Sequence, residues 1–178
     1  ATSNSQIGST ESNRLGFFGK AGLEYDINAY NSLQSTFSVR GFKSNTDGFT
    51  DGTFIGPTNN IIEDFRRSSI GGDLRSGYDW STNYTKSFKK KEQELSLSFR
   101  LDGNISNTDR DVERTGTPIT SNVNELLDNE SDNLETTFSL DYTHPFTKGF
   151  KMEVGTKAIL RDIDSDYKYN VWANGGFS

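Results

Sequence analysis

The sequence predicts an all-β fold, namely an antiparallel, up-and-down transmembrane β-barrel segment of about six long strands. Three observations predict it. Long runs of residues alternate between apolar and polar side chains, which is the period of a strand with two different faces. Short turns near residues 30, 90 and 147 separate the runs in pairs, and long polar connections join one pair to the next. One parity of every run is almost free of charge.

The clearest pair of runs lies between Leu134 and Leu160, on either side of a turn at residues 144–149 that contains Pro145 and Gly149. Pro and Gly are typical turn residues. Before the turn one parity holds apolar or uncharged residues, and the other holds charged and polar ones; after the turn the alternation resumes. The pattern predicts a long β-hairpin with one apolar and one charged face.

Two earlier pairs of runs repeat this unit. The first has strands over 15–27 and 33–42, and the second has strands over 74–88 and 95–102. Residues 1–13 are polar and unpatterned, so we expect a loop there. Long loops are likewise expected over 43–72 and 107–133. All short turns then lie at one end of the sheet and all long loops at the other, as in outer-membrane barrels with short periplasmic turns and long extracellular loops.

A soluble β-sandwich is the main alternative, because its strands also alternate. The runs here are about 10–14 residues long, whereas soluble strands usually have about 5–6 and a membrane-spanning strand needs about 9–11. Lys86 is the exception on the apolar parity, and it lies near a turn, where its amine can reach the membrane surface. Aromatic residues near the short turns resemble the girdle of a membrane barrel: Tyr25, Tyr30, Tyr84, Phe88, Tyr142 and Phe146.

Composition excludes several classes of protein. The net charge of −6 comes without a basic patch, which argues against nucleic-acid binding. The absence of Cys excludes disulfides and thiolate metal sites. No apolar run approaches the length of a transmembrane helix. His144 is the single histidine and lies in a predicted turn, where a solvated role is more typical than a catalytic one. We therefore expect no enzyme activity, no catalytic residues and no cofactor.

The parity assigns residues to two environments. Fifteen residues are predicted to face lipid: Leu15, Phe17, Leu23, Phe37, Val39, Trp80, Leu95, Leu97, Phe99, Leu101, Phe138, Leu140, Met152, Val154 and Leu160. Twelve charged residues of the other parity are predicted to face a hydrated lumen, where they would pair across strands: Lys20, Glu24, Arg40, Arg75, Asp79, Arg100, Asp102, Glu135, Lys151, Glu153, Lys157 and Arg161.

Two polar clusters are candidate ligand sites. Asp162, Asp164 and Asp166 have the spacing that opens a calcium-binding loop, but Tyr167 stands where that loop has glycine and no Glu follows at its twelfth position. We therefore expect no metal site, and these three carboxylates remain only a calcium candidate. The basic turn at Lys89–Lys91 either meets phosphate headgroups or is simply solvated.

Three stretches resemble the C-terminal barrel of TonB-dependent-receptor-like outer-membrane proteins of the Bacteroidota type. They are YDINAYNSLQSTFSVRGF, SGYDWSTNYTKSFKKKEQELSLSFRLDGNISN and TFSLDYTHPFTKGFKMEVGTKAILRDIDSDYKY. The resemblance extends over residues 15–169. Its motifs are patterns of strands and turns, so they imply an architecture and a family but no substrate. The resemblance implies a location in the bacterial outer membrane and a larger barrel of which this chain is a middle piece.

Three functions follow as hypotheses. The first is part of a TonB-dependent receptor or transporter for uptake across the outer membrane. The second is a structural barrel subunit of an outer-membrane complex, and the third is a soluble β-sandwich binding module. Residues 1–178 are expected to be part of one barrel domain without a plug domain. The expected partners are outer-membrane lipid, the rest of the barrel with a possible plug, and possible surface lipoproteins or other complex subunits.

Overall fold

The computed structural model describes residues 2–117, 122–147, 149–173 and 176–177. They form one antiparallel sheet in which every strand pairs with the next one along the chain. The strands are β1 (Ser3–Asn28), β2 (Asn31–Ile55), β3 (Ile61–Ser87), β4 (Glu94–Thr117), β5 (Val123–Thr147), β6 (Phe150–Ala173) and the short β7 (Gly176–Phe177). Within the described ranges, no helix is long and apolar enough to cross a bilayer. The predicted up-and-down order of six long strands is confirmed.

The three short turns are confirmed as well. β1 and β2 are joined at residues 29–30 and β3 and β4 at 88–93, and Gly149 forms the turn before β6, while residue 148 lies outside the described residues. Asn28 organises the first turn, because its side-chain oxygen accepts hydrogen bonds from the Tyr30 amide at 3.0 Å and from the Asn31 side chain at 2.6 Å. Gly149 in the third turn has a φ of 86°, a conformation that suits glycine.

The long loops predicted at the other end are wrong. Residues 43–55 and 61–72 continue β2 and β3 in antiparallel pairing, with a register shift between Phe54 and Ile55, and only Gly56–Asn60 forms a turn. The same holds for 107–117 and 123–133 in β4 and β5, while residues 118–121 of that expected loop lie outside the described residues. Residues 3–13, also expected to be loop, pair with 45–55. Each of the strands β1 to β6 therefore has 24–27 residues.

The physical reason is that both faces of the sheet meet water at these strand ends. Alternation of apolar and polar residues marks only a strand with one dry face. Beyond the apolar part of the strands, the ladder of backbone hydrogen bonds continues without that pattern. A composition rich in Gly, Asn, Thr and Asp then predicts a loop from the sequence alone. We call these distal parts of β1 to β6, beyond the apolar residues, the extension.

Cross-strand register shows that the two predicted sets of residues lie on opposite faces of the sheet. Directly paired residues share a face, and one row runs through Ala21, Phe37, Trp80, Leu101, Thr136 and Leu160. The neighbouring row runs through Lys20, Ser38, Asp79, Asp102, Glu135 and Arg161. All fifteen residues predicted to face lipid share the first face, and we call them the apolar belt. All twelve predicted to face the lumen share the second, which we call the polar face.

The apolar belt runs obliquely across the paired rows. Its upper limit is Leu15 on β1 and Leu160 on β6. The row that contains Leu15 reaches β6 at Asp166, six residues beyond Leu160. Six residues along a strand are about 20 Å, and five strand spacings are about 24 Å. If the belt is level with the membrane, the strands are therefore tilted by about 40° from the membrane normal. Strands of membrane barrels tilt by about 35–45°.

Candidate functional site: the two faces of the sheet

Aromatic packing holds the middle of the apolar belt together. Phe99 on β4 lies between Trp80 on β3, with ring centroids 5.3 Å apart, and Phe138 on β5, with centroids 5.2 Å apart. The three rings come from three adjacent strands, so they tie the centre of the sheet together across two ladders. Each aromatic pair of this kind is worth about 0.5–1.5 kcal/mol.

Replacing Phe99 with alanine is therefore expected to lower the free energy of unfolding by about 1–3 kcal/mol, the worth of two aromatic pairs. The matched control is Phe18→Ala, because Phe18 lies on the polar face, is 71% exposed and has no aromatic contact with the described residues. Urea titration of the folded, membrane-inserted protein gives both values. Equal losses from the two variants would contradict the role assigned to Phe99.

Polar atoms on the belt side satisfy one another. The Trp80 indole donates a hydrogen bond to Ser35 Oγ at 3.0 Å, and that hydroxyl lies 2.9 Å from Thr82 Oγ1. The Tyr84 hydroxyl donates to the Asn31 side chain at 2.5 Å. An unpaired polar atom costs several kcal/mol in hydrocarbon. These contacts therefore allow Ser, Thr and Asn to lie on the apolar face.

The polar face carries a network of charges across β2, β3 and β4. Arg100 Nε donates to Asp79 Oδ2 at 2.6 Å, and its guanidinium lies 3.9 Å from Asp102. Arg40 approaches the same Asp102 to 3.9 Å and donates to the side-chain oxygen of Asn104 at 2.5 Å. Asn104 in turn donates to Asp102, also at 2.5 Å. Five side chains thus form one network, and sequence reasoning had named four of them.

The remaining predicted lumen residues divide into pairs and unpaired charges. Arg161 donates two hydrogen bonds to Glu135 on the neighbouring strand. Lys151 and Glu153 pair along β6 at 2.5 Å. Among the described residues, no ion pair within 4 Å involves the other four: Lys20, Glu24, Arg75 and Lys157. The paired arginines are about half exposed, so each pair contributes at most about 1 kcal/mol to stability.

Asn104 was missed by the sequence analysis because charge alone was used to select the residues of the polar face. It lies two residues after Asp102 and therefore has the same parity, which is the signal that identifies it. Three buried side chains also lie on the polar face: Ser44 at 6% exposure, Val112 at 5% and Thr137 at 8%.

Two clusters in the extension were also missed, because their residues lie in segments that were expected to be loops. Arg66 forms two hydrogen bonds with Asp51, at 2.7 and 2.8 Å, and lies over the Phe49 ring at 4.7 Å. The hydrogen bond to Asp51 and its negative charge raise the pKa of Arg66.

The second cluster lies on the other face of the extension. Phe65 stacks on Phe54 with centroids 6.2 Å apart, and Arg114 lies over Phe65 at 4.3 Å and contacts Glu63 at 2.6 Å. The apolar residues expected in a loop therefore pack within the sheet.

The calcium candidate does not form a convergent site. Asp162, Asp164 and Asp166 lie at alternate positions of β6, so their Cα atoms are about 7 Å apart in an extended strand. Lys168 contacts Asp166 at 2.8 Å, and this hydrogen bond raises the pKa of Lys168. Across the residues that the structure describes, no three His, Asp or Glu side chains are arranged to hold a metal ion.

His144 is not a solvated turn residue, contrary to expectation. It pairs with Met152 inside the β5–β6 ladder. Its Nδ1 lies 3.0 Å from the Tyr142 hydroxyl, and its ring packs against Phe146 with centroids 4.8 Å apart. Phe146 continues the contact to Phe150 at 5.4 Å. His144 therefore belongs to an aromatic row at the short-turn end of the apolar face.

An apolar belt of spanning length, a strand tilt of about 40° and a charged opposite face define the class: this is a transmembrane β-barrel protein. The chain belongs to the Outer membrane protein beta-barrel family, whose profile matches residues 86–178. That match spans just over half of the 178 residues. The predicted location in the bacterial outer membrane is confirmed, and the soluble β-sandwich is excluded.

Other comparisons add little. No curated protein matches the chain. Among solved structures, the chain is similar to the membrane pore complex of pneumolysin, with 9% sequence identity and a TM-score of 0.22. The similarity covers 97% of this chain and 32% of that one, so the chain spans about a third of the pneumolysin length. A likeness this weak supports no conclusion about fold or function.

Proposed function

We propose that the chain is part of a TonB-dependent receptor that takes up a solute across the outer membrane. The observation that carries the proposal is the polar face, where the paired arginines of β2, β4 and β6 stay 50–59% exposed and their carboxylate partners 19–29% exposed. Such a face suits a hydrated passage or the docking surface of a plug. The resemblance of residues 15–169 to TonB-dependent-receptor-like barrels of the Bacteroidota type supports the same proposal.

The proposal includes further strands in the barrel. Among the described residues, β1 pairs only with β2, and β6 pairs on its second edge only at Trp172 and Ala173. Lipid cannot hydrogen-bond to backbone, so both edges must be paired within the membrane. The rest of the barrel is therefore a proposed partner of this chain, and a plug is a second. Neither passage nor docking requires catalysis, and we propose none.

The test is a comparison of spent growth media. A strain without this gene and a strain without TonB are each compared with the parent for the solutes that they remove from a complex medium. We expect the first strain to leave a subset of the solutes that the second one leaves. Normal depletion by the first strain, together with disassembly of an outer-membrane complex, would instead establish a structural barrel subunit.

One observation favours that second function. The extension carries an excess of carboxylates on the face continuous with the apolar belt, and these lie in registered rows across the sheet. Asp109 is opposite Asp128, Glu130 is opposite Asp166, and Asp132 is opposite Asp164. Like charges directly opposite each other destabilise a sheet, so a basic surface on a lipoprotein or another subunit would relieve this repulsion.

Removing an ion pair from the polar face separates transport from scaffolding. Asp79→Ala with Arg100→Ala is expected to reduce uptake about two- to fivefold. The reason is that the solute or the docked plug loses contacts with these two charges that are worth up to about 1 kcal/mol. The control removes Asp166 and Lys168, a pair on the opposite face of the extension. Solute depletion by strains with each variant at equal membrane levels is the measurement, and equal uptake in both would contradict a lumenal role for the polar face.

A further inference from the structure

We infer that the short-turn end of the apolar face binds the phosphate of an anionic glycerophospholipid. The site consists of Lys86, the basic turn Lys89–Lys91 and the aromatic row around Tyr142. The inference rests on the outer-membrane location and not on the proposed transport function, so it stands or falls separately from uptake.

Lys86 is the starting point because, among the residues that the structure describes, it is the one cation on the apolar face within the belt. Its neighbours in the paired row, Asn31 and Leu95, carry no charge. Its amine lies 5.3 Å from the centroid of the Phe88 ring, a geometry that stabilises an ammonium group without neutralising it. Among the described residues Lys86 has no ion pair, so its charge is available to an external anion.

Carboxylates at this end of the sheet lie on the other face. The register places Glu24, Glu94, Asp141 and Glu153 in rows of the polar face. Within the described strands, no acidic residue of a paired row therefore lies beside Lys86 on the apolar face.

Backbone hydrogen bonds close the turn that carries Lys89–Lys91. The Phe88 amide donates to the Gln93 carbonyl at 3.0 Å, and the Gln93 amide donates to the Lys90 carbonyl at 3.1 Å. The Gln93 side chain donates to the Tyr142 hydroxyl at 2.7 Å. Tyr142 also packs edge-on against Phe88, with centroids 6.4 Å apart. These contacts fix the basic turn against the aromatic row.

This arrangement suits a lipid better than a soluble anion. The apolar face below the lysines meets acyl chains, aromatic rings occupy the interface, and the amines lie at headgroup level. A soluble phosphate would meet only the exposed lysines of the turn, whereas a phospholipid contacts Lys86 and the belt together. Short turns lie on the periplasmic side of such barrels, so the lipid belongs to the inner leaflet.

The experiment measures lipid retained by the purified full-length protein during detergent washing. Mixed micelles supply dioleoylphosphatidylglycerol and dioleoylphosphatidylcholine in equal amounts, and native mass spectrometry counts each lipid. We expect retention of phosphatidylglycerol over phosphatidylcholine. Each neutralised lysine should weaken this preference about fivefold, which is the contribution of one basic residue at a membrane surface.

Two variants and one control decide the outcome. Lys86→Gln tests the residue on the apolar face, and Lys89→Gln, Lys90→Gln and Lys91→Gln together test the turn. The control, Lys151→Gln with Lys157→Gln, removes cations from the polar face. Heat-shifted migration on a gel confirms that each variant is folded. An equal preference in wild type, both variants and the control would overturn the site, and so would absence of any preference in wild type.

Adding inorganic phosphate to the wash distinguishes the two phosphate sources. If a lipid is the ligand, millimolar phosphate should leave the retained phosphatidylglycerol unchanged. Displacement of the lipid by phosphate at this concentration would overturn the assignment to a lipid.

Discussion

Replacing Leu97 with arginine is expected to destabilise the folded, membrane-inserted protein by about 2–4 kcal/mol, because a cation near the middle of the bilayer loses its hydration. Leu97 lies in the apolar belt on β4, 44% exposed, between Tyr84 and Leu140 in its paired row. In the membrane, lipid would cover this exposed part of the Leu97 side chain. Urea titration of the protein in phospholipid vesicles measures the change.

The matched control is Ile70→Arg. Ile70 lies on the same face of the sheet and is more exposed, at 61%, but it belongs to the extension beyond the belt. An arginine there remains in water, so the expected cost is within about 0.5 kcal/mol. Similar effects at Leu97 and Ile70 would mean that the belt does not face hydrocarbon.

Replacing Thr108 with proline is expected to open the extension. Thr108 lies in β4 between Asp73 of β3 and Asn129 of β5, so its amide serves a ladder in the interior of the sheet. Proline removes that donor and fits only at sheet edges or bulges. The orphaned acceptor alone costs about 1–3 kcal/mol, so nearby amides should exchange about tenfold faster or more with deuterated water.

Thr108→Val is the control at the same position. It keeps the backbone donor and removes only the hydrogen bond from Thr108 Oγ1 to Asp73 at 2.9 Å. We expect little change in amide exchange at Asp73 and Asn129. If proline and valine had the same small effect, residues 107–133 would behave as the loop that their composition suggests, and the extension would be wrong.

The belt could be predicted from sequence because a strand with one apolar face has an alternating pattern. Runs such as Leu95, Leu97, Phe99 and Leu101 alternate strictly because every second residue belongs to the apolar face. The extension has no such constraint. Gly48, Gly52 and Asn45 lie in regular strand pairing, yet they are typical loop residues, and only their partners across the ladder keep them extended. Pairing between distant segments does not appear in a local pattern.

On the polar face, the sequence predicted which residues share a face but not which of them pair. Parity assigned Arg100 and Asp79 to one face, but their contact depends on the β3–β4 register, which places Arg100 opposite Ser81 and diagonal to Asp79. Arg75 has the same parity and has no acidic partner within 4 Å among the described residues. Parity thus predicts the environment of a side chain, whereas register determines its partner.

The most direct test of the two-faced sheet is a cysteine scan of residues 134–142, which is simple because the chain has no native cysteine. Each residue is replaced singly in the full-length protein, spin-labelled and reconstituted in vesicles, and its collision rates with oxygen and with a water-soluble nickel complex are measured. Oxygen contact should be higher at Leu134, Thr136, Phe138, Leu140 and Tyr142, and nickel contact should be higher at Glu135, Ser139 and Asp141. Thr137 is left out of the nickel set because it is only 8% exposed. Equal nickel access at both sets, or shielding of the first set from both reagents, would contradict a sheet with one face in lipid.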